Sequence, residues 1–371
     1  MPTSLLQYII TLLFGIGAVT CQATEYVIPA GKDVGVFFRD LPEDATAVLF
    51  SASAKYNSQG DIPLPDRRLL VIDGKGCELF LGPNSNGFTR AIKDQKEAMF
   101  KMASRYAIRD FGAIQGGLKG IDLKATLGST ITNCRLTGQT EVGIDLRFCL
   151  MARLQNVLVT NPRNKGFVLR DGDWPGATPI NSQSNSSVLE QCRVFCMTTT
   201  TDAFTILNTG GVRMIDCVSE GAEADRDIYL SAVTSDEEDR IANNPAVRSF
   251  TLQNFHVEHT LRKESILVNM PAQALVHLSN VYWNFGQTAP VIRYVRGQLN
   301  LTEIPWWMNN FVIATRVNSP RISVSHCHSK LQLGDPSTRT KLKAGSFELL
   351  DPLPGNDVLI TKFITISDPA Y

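Results

Sequence analysis

The sequence has no excess of charge of either sign. Its 371 residues include 36 basic and 36 acidic side chains. Proteins that bind nucleic acid or an anionic membrane through surface charge carry a clear basic excess, so this balance argues against both kinds of partner. We therefore expect no nucleic-acid partner.

Paired cysteine spacings are missing as well. The eight cysteines form no Cys-x-x-Cys pair. Three of them, Cys134, Cys192 and Cys217, follow the same position of a repeat, and we expect them to be small buried side chains. We predict no cofactor.

A repeat of 23 residues is the main feature that is present. Its successive copies share a short alternating segment and begin at Glu97, Gly120, Gly143 and Gly166. A second segment, apolar-x-Asx-apolar, follows the first three starts and contains Asp110, Asn133 and Asn156. Two short alternating segments per repeat, with no helical stretch between them, predict an all-β solenoid.

The repeat continues beyond this gapless block, but with two insertions. Its Asx column extends through Gln191, Asp216, Asn254 and Asn280. The longer steps, 35 residues from 156 to 191 and 38 residues from 216 to 254, place both insertions in the same turn of the repeat. They should therefore project from one side of the solenoid, where we expect a binding groove.

Strand alternation assigns side chains to the two sides of each strand. It sends Ile121 and Leu123 inward and Asp122 outward. Stacked coils then place Asp122 beside Asp145, and Lys124 beside Arg147. We interpret these residues as a surface charge ladder, so Asp122→Asn should be nearly silent, whereas Leu123→Asp should unfold the protein. The alternative is a catalytic pair, Asp122 and Asp145, at a coil spacing of roughly 5 Å.

This arrangement resembles the right-handed parallel β-helix of the pectin-lyase-like superfamily, which includes polysaccharide lyases, glycoside hydrolases and viral tailspikes. The resemblance covers roughly residues 25 to 295 as architecture. We predict an apolar N-terminal segment over residues 1–24, a parallel β-helix with cap coils over 25–296, and, after the repeat fails, a small β region that closes it over 297–371.

The sequence departs from the catalytic patterns of that superfamily. Polygalacturonase-like hydrolases are recognised by Asn-Thr-Asp, paired Asp, Gly-His-Gly and Arg-Ile-Lys segments, none of which occurs here. Pectate lyases use clustered acidic calcium ligands, but Asp236, Glu237, Glu238 and Asp239 are adjacent and alternation would split them between two faces. The motifs therefore do not support an enzyme, although they leave a polysaccharide lyase or glycoside hydrolase open.

The groove between the two insertions is the predicted carbohydrate-binding site. A tryptophan among acidic and amide side chains suits stacking on a sugar and hydrogen bonding to its hydroxyls. The predicted contacts, with Thr205 on the floor beside them, are Asp145, Arg147, Arg170, Asp171, Asp173, Trp174 and Tyr229. The alternative is a tolerated loop in which Trp174 is packed.

Two histidines weakly indicate a metal-binding site. His326 and His328 share one side of a strand and could ligate a metal, but structural zinc normally has four ligands. For His256, which follows the Asx column, a solvated or stacked imidazole is the commoner arrangement.

Residues Leu5 to Val19 are nearly all apolar and could form an anchor helix or a secretory signal, although no Lys or Arg precedes Lys32.

Our preferred hypothesis is an adhesive or structural protein of a virus particle. It would resemble a phage tailspike, form a homotrimer, contact other virion proteins through the N-terminal segment, and bind cell-surface polysaccharide. The alternatives are a secreted polysaccharide lyase or glycoside hydrolase, and a passive capsid or tail scaffold.

Overall fold

The computed structural model describes residues 24–198, 200–233, 242–283, 291–304, 311–315, 321–327, 331–334, 341–344, 347–350 and 358–362. These residues form 32 strands and two short helices, α1 (Val34–Arg39) and α2 (Gln95–Lys101). No helix among them is long and apolar enough to cross a membrane. The predicted N-terminal apolar segment lies outside the described residues.

The strands wind around three faces, and every described strand except β30 pairs in parallel with a strand one coil away. Face 1 contains β1 (Thr24–Val27), β2 (Ala45–Leu49), β5 (Leu70–Asp73), β8 (Tyr106–Arg109), β11 (Thr130–Thr132), β14 (Arg153–Gln155), β17 (Ser187–Glu190), β20 (Gly211–Ile215), β22 (Ser249–Leu261), β24 (Leu275–Trp283), β26 (Gln298–Ile304), β28 (Arg321–Cys327) and β32 (Val358–Lys362).

Faces 2 and 3 complete each coil. Face 2 contains the later parts of β22 and β24 together with β3 (Lys55–Ser58), β6 (Glu78–Leu81), β9 (Ala113–Gly116), β12 (Arg135–Thr137), β15 (Leu158–Thr160), β18 (Arg193–Cys196) and the first part of β21 (Val218–Ser231). Face 3 contains the later part of β21 together with β4 (Ile62–Pro63), β7 (Asn86–Thr89), β10 (Lys119–Leu127), β13 (Val142–Leu150), β16 (Lys165–Arg170), β19 (Thr200–Leu207), β23 (Ile266–Asn269), β25 (Ile292–Arg296), β27 (Phe311–Thr315), β29 (Leu331–Gly334) and β31 (Phe347–Leu350).

This architecture confirms the predicted parallel β-helix. Near its end, β30 (Lys341–Ala344) pairs with β31 in the antiparallel sense. The domain boundaries stay predictions, and parallel pairing runs past residue 296 through β26 and β28.

The Asx column forms the turn between faces 1 and 2, as the repeat predicts. All seven of its residues have left-handed backbone angles, with φ between 49° and 58°. Side-chain amides also bond along the column, for example from Asn133 Nδ2 to Asp110 Oδ1 and from Asn156 Nδ2 to Asn133 Oδ1, both at 2.9 Å. A short polar side chain both tolerates this conformation and satisfies its neighbour.

The interior is apolar and tightly filled. Ile121 and Leu123 point inward and are fully buried, which confirms their assignment. Gly143 is required where the coil is narrow, because a Cβ there would lie 2.6 Å from Val159 Cγ1. Cys134, Cys192 and Cys217 are free and buried, as predicted.

The repeat start predicted at Glu97 is wrong, because this segment is helix α2 and not a strand. Asp94 caps the helix by accepting from Glu97 N at 2.7 Å, and the Glu97 side chain accepts in return from Lys93 N at 2.6 Å. Lys101 then pairs with Glu97 one turn later, at 3.0 Å. These reciprocal caps favour a helix over an extended segment. The face 3 strand of this coil is instead β7, which pairs with β10.

Candidate functional site

Three segments leave the solenoid at the same turn, between faces 3 and 1. They span residues 90–105, which include α2, residues 171–186, and residues 232–248, which are described in part. The strand bounds confirm the shared position that the repeat predicts for the second and third segments. The sequence did not predict the first segment as an insertion, because Glu97 in α2 fits the 23-residue spacing by chance.

Helix α2 and the second segment are joined over the outer side of face 3. Trp174 packs with Ala98 of the helix and with Phe148, and its Nε1 donates to Gln95 Oε1 at 2.9 Å. The backbone N–H of Gln95 donates to the carbonyl of Pro175 at 3.0 Å. Trp174 is therefore only 7% exposed, so this cover holds no open indole face on which a sugar can stack. This environment of Trp174 matches the alternative expectation, a tolerated loop in which the indole is packed.

Next to this cover, on the outer side of the same strands, lies a group of charged side chains that we call the charge network. It consists of Lys119, Asp122, Lys124, Asp145, Arg147, Arg170 and Asp173. The pairing of β10 with β13 places Asp122 beside Asp145 and Lys124 beside Arg147, as predicted. The prediction of a surface ladder is nevertheless wrong, because Asp122 is 3% and Asp145 1% exposed. Alternation points them out of the solenoid, where the side chains of Lys119, Arg147 and Arg170 surround them.

Arg147 is the centre of the charge network. Its guanidinium contacts Asp122 at 2.9 Å, Asp145 at 2.9 Å and both oxygens of Asp173 at 2.7 Å. One planar cation thus holds carboxylates from two coils and from the second covering segment.

Asp145 is surrounded by cations. Lys119 lies 2.8 Å and Arg170 3.2 Å from its carboxylate, in addition to Arg147. Burial alone would raise the pKa of Asp145, but Arg170, Arg147 and Lys119 outweigh it and hold this pKa well below its usual range. A general acid requires a raised pKa, so these surroundings do not suit Asp145 to that role.

Asp122, the other weak catalytic candidate, is held in the same way. It accepts from Arg147, from Lys124 at 3.2 Å and from the Thr89 hydroxyl at 3.0 Å. The contacts of both residues are those of a compensated buried network rather than of a reactive pair.

Two further carboxylates, at the start of the second segment, have unequal surroundings. Burial raises the pKa of Asp171, although its own backbone N–H and the Asn208 side chain oppose this. For Asp173, burial is outweighed by the hydrogen bond from Arg147, and its pKa lies below the usual value. The Asp173 side chain is 43% exposed, so solvent reaches the pair.

The remaining predicted contacts are distributed unevenly. Tyr229 is fully buried and lies under the cations of Lys165 and Arg226, at 5.9 and 5.4 Å from its ring centroid. Thr205 beside it is also buried. The predicted groove residues that remain accessible are therefore Arg170, Asp171 and Asp173, and the structure brings these three together.

Several residues of the site were missed from the sequence. Lys119 precedes the second repeat start by one residue, and a lysine recurs at the equivalent Lys165, which is the signal that could have found it. Gln95 and Asn208 had no such signal, because their partners come from distant segments.

The predicted metal ligands His326 and His328 stay untested. His328 lies outside the described residues, as do Asp236, Glu237, Glu238 and Asp239. His326 lies in β28, and its side chain is not among those described.

No protein-family profile matches the chain, and no curated protein matches it. Two similar solved structures are catalytic domains of a GH87 α-1,3-glucanase, each with an aspartate replaced by alanine and each in complex with nigerose. Both are 11% identical with a TM-score of 0.51, and cover 92% and 91% of this chain and 68% of theirs. This likeness shows a shared parallel β-helix fold. It gives no support to the tailspike, virion or trimer predictions, which stay predictions.

Proposed function

We propose that this protein cleaves glycosidic bonds in a polysaccharide, with Asp171 as the general acid and Asp173 as the ionised carboxylate. The observation that carries the proposal is the unequal environment of two accessible carboxyls two residues apart: Asp171 is largely buried beside the Asn208 side chain, whereas Asp173 is held by Arg147 and Arg170. Burial accordingly raises the pKa of Asp171, and the hydrogen bond from Arg147 outweighs burial and lowers that of Asp173. Glycoside hydrolysis requires one carboxyl that keeps its proton and one that has lost it.

The surroundings support this division of roles. Asn208 Nδ2 lies 3.3 Å from Asp171 Oδ1, which orients a carboxyl whose burial favours the protonated form. Arg147 and Arg170 contact Asp173 at 2.7 and 3.1 Å and stabilise its charge. Asp171 would protonate the oxygen of the departing sugar, while Asp173 would either activate water or attack the anomeric carbon.

The charge network supplies the support for this pair. Asp173 bonds to Arg147, which is itself fixed by Asp122 and Asp145 in two successive coils. An acid–base pair works only when its geometry is held, and a buried, fully paired network provides such rigidity. The first substrate to test is an α-1,3-glucan, because the structurally similar domains are named α-1,3-glucanases.

The experiment measures release of reducing ends from α-1,3-glucan and from a panel of other neutral and acidic polysaccharides. We expect Asp171→Asn and Asp173→Asn each to lower the rate by at least about 100-fold, with little change in stability for Asp171→Asn and a measurable loss for Asp173→Asn, which removes a partner of Arg147. Activity should fall as pH rises through the raised pKa of Asp171, and also as pH falls through the lowered pKa of Asp173.

Asp216→Asn is the matched control, because Asn133 and Asn156 occupy equivalent places in the Asx column. It should keep full activity. If wild-type protein cleaves none of these polysaccharides, the proposal fails; binding without cleavage would instead favour the predicted adhesive role.

A further inference from the structure

A second group of chemically distinctive side chains lies on the outer side of face 2. It comprises Glu220 of β21 and His256 and Glu258 of the neighbouring β22. The strands pair in a register that places Glu220 beside Glu258, and Val218 beside His256. Because His256 and Glu258 are two residues apart, they project on the same side. One ligand atom from each of the three lies within 4.8 Å of the others.

The charges in this group are not balanced by a permanent cation. Two carboxylates that lie side by side on neighbouring strands repel each other. Across the described part of the chain, no lysine or arginine forms an ion pair with Glu220 or Glu258. Among the described residues, the side-chain hydrogen bond that Glu258 forms is with His256 Nε2, at 3.2 Å. The arrangement therefore leaves negative charge that a bound cation would neutralise.

The imidazole is held in position by a neighbouring aromatic ring. His256 stacks on Tyr282 of the next coil, with ring centroids 4.6 Å apart and an angle of 13° between the planes. This stacked imidazole agrees with the sequence expectation for His256. Stacking fixes the ring plane and leaves Nε2 directed at the carboxylates, and such orientation reduces the entropy lost when a ligand binds.

The backbone also fixes Glu220. Gly221, which follows it, has φ of 128°, and the register of β21 against β22 shifts immediately after Glu220. A Cβ at Gly221 would overlap the backbone of Cys196 in the preceding coil. The glycine thus permits an irregularity that a side chain would prevent, and the carboxylate emerges at a defined point.

We propose that Glu220, His256 and Glu258 bind one divalent transition-metal ion, with Zn²⁺ the best match. An imidazole nitrogen with two carboxylate oxygens is a ligand set that Zn²⁺ accepts, and water completes its coordination at an exposed site. Calcium and magnesium prefer oxygen ligands alone, so the imidazole selects against them. The ion would link two adjacent coils of the β-helix.

The test uses the full chain after removal of metals with a chelator. Calorimetric titration with ZnCl₂ should show one ion per chain, and Zn²⁺ should raise the Tm, because an ion that binds the folded state stabilises it. Co²⁺ should bind in the same place and give visible absorption bands that include a nitrogen ligand.

Variants separate the proposed ligands from the rest of the surface. His256→Gln and Glu220→Gln should each weaken Zn²⁺ binding by at least about 100-fold. The controls are His277→Gln and Glu190→Gln, which alter a histidine of β24 and a glutamate of β17 on face 1 and should leave binding unchanged.

Absence of Zn²⁺ binding by the wild-type protein would overturn the proposal. So would unchanged binding in His256→Gln, or equal binding of Ca²⁺, since either would indicate an acidic patch without a nitrogen ligand. The site is separate from Asp171 and Asp173, so its test and that of glycoside cleavage succeed or fail independently.

Discussion

The inner and outer sides of β10 and β13 are both buried, but the inner side carries apolar side chains and the outer side carries charged ones. The inner side carries Ile121, Leu123 and their partners in the next coil, and the outer side carries Asp122 and Asp145. The inner residues are buried by the solenoid itself. The outer residues are buried among the cations that pair with them, and Arg147, the central cation, is itself held by Asp173 of the second segment.

This difference separates two physical origins of burial. Each inner aliphatic side chain contributes roughly 1.5–3 kcal/mol through removal of apolar surface from water. The charge network contributes little net stability, because ion pairing mainly offsets the cost of dehydrating the charges. Its value lies in a fixed geometry, and its weakness is that loss of one partner leaves another charge buried and unpaired.

Leu123→Asp should have the largest effect, because it places a charge on the apolar side, where nothing pairs with it. We expect a loss of stability greater than about 5 kcal/mol, or failure to fold. Urea unfolding followed by circular dichroism measures this, with Leu123→Ile as the control for shape. A soluble, stable Leu123→Asp protein would show that the inner side had been misassigned.

Asp145→Asn should rank second, because it leaves Lys119, Arg147 and Arg170 without a shared anion. Loss of one partner of a buried pair costs about 3–5 kcal/mol at neutral pH. Asp216→Asn, in the exposed Asx column, is the control and should cost much less. Equal losses in the two variants would mean that burial of the charge network has no energetic consequence.

The pH dependence sharpens this second comparison. The folded pKa of Asp145 lies below its unfolded value of about 3.9. Its contribution is therefore complete above the unfolded pKa and is lost as pH falls through the folded pKa. The difference in unfolding free energy between wild type and Asp145→Asn should thus shrink as the pH is lowered from about 7 to about 2. A constant difference would contradict the assignment.

Asp122→Asn should have the smallest effect, about 1–3 kcal/mol, although this exceeds the near-silent result expected from the sequence. With its amide oxygen in the place of Oδ1, the new side chain can still accept from Arg147, and the amide nitrogen in the place of Oδ2 can donate to the Thr89 hydroxyl oxygen, while Lys124 retains partial contact with solvent. The same unfolding assay measures the change. A change in unfolding free energy within error of zero would contradict the role of Asp122 in the buried charge network and would favour the surface charge ladder.

The sequence predicts the properties that repeat from coil to coil. The pairing of Asp122 with Asp145, the left-handed turn at Asn133 and the inward position of Leu123 all follow from a register that stacking preserves. Strand alternation determines on which side a residue lies. It does not determine whether that side is exposed, which is why the charge network was taken for a surface ladder.

What could not be predicted depends on segments outside the repeat. Helix α2 is an exception, because the reciprocal cap of Asp94 and Glu97 is a local signal that the match of Glu97 to the repeat spacing obscured. The unequal surroundings of Asp171 and Asp173 arise from Asn208 and Arg147, which belong to other coils. No short window of sequence contains both Asp171 and Asn208, or both Asp173 and Arg147.

The hydrogen bond from Trp174 to Gln95 joins residues 79 positions apart in the chain. Helix α2 is made first, but its indole partner arrives only after β10, β13 and β16 have been synthesised. Contacts of such long sequence separation form late, because the intervening chain must first be ordered. We therefore expect β10, β13 and β16 to stack before this contact closes, so that the charges beside it are still hydrated while the coils form.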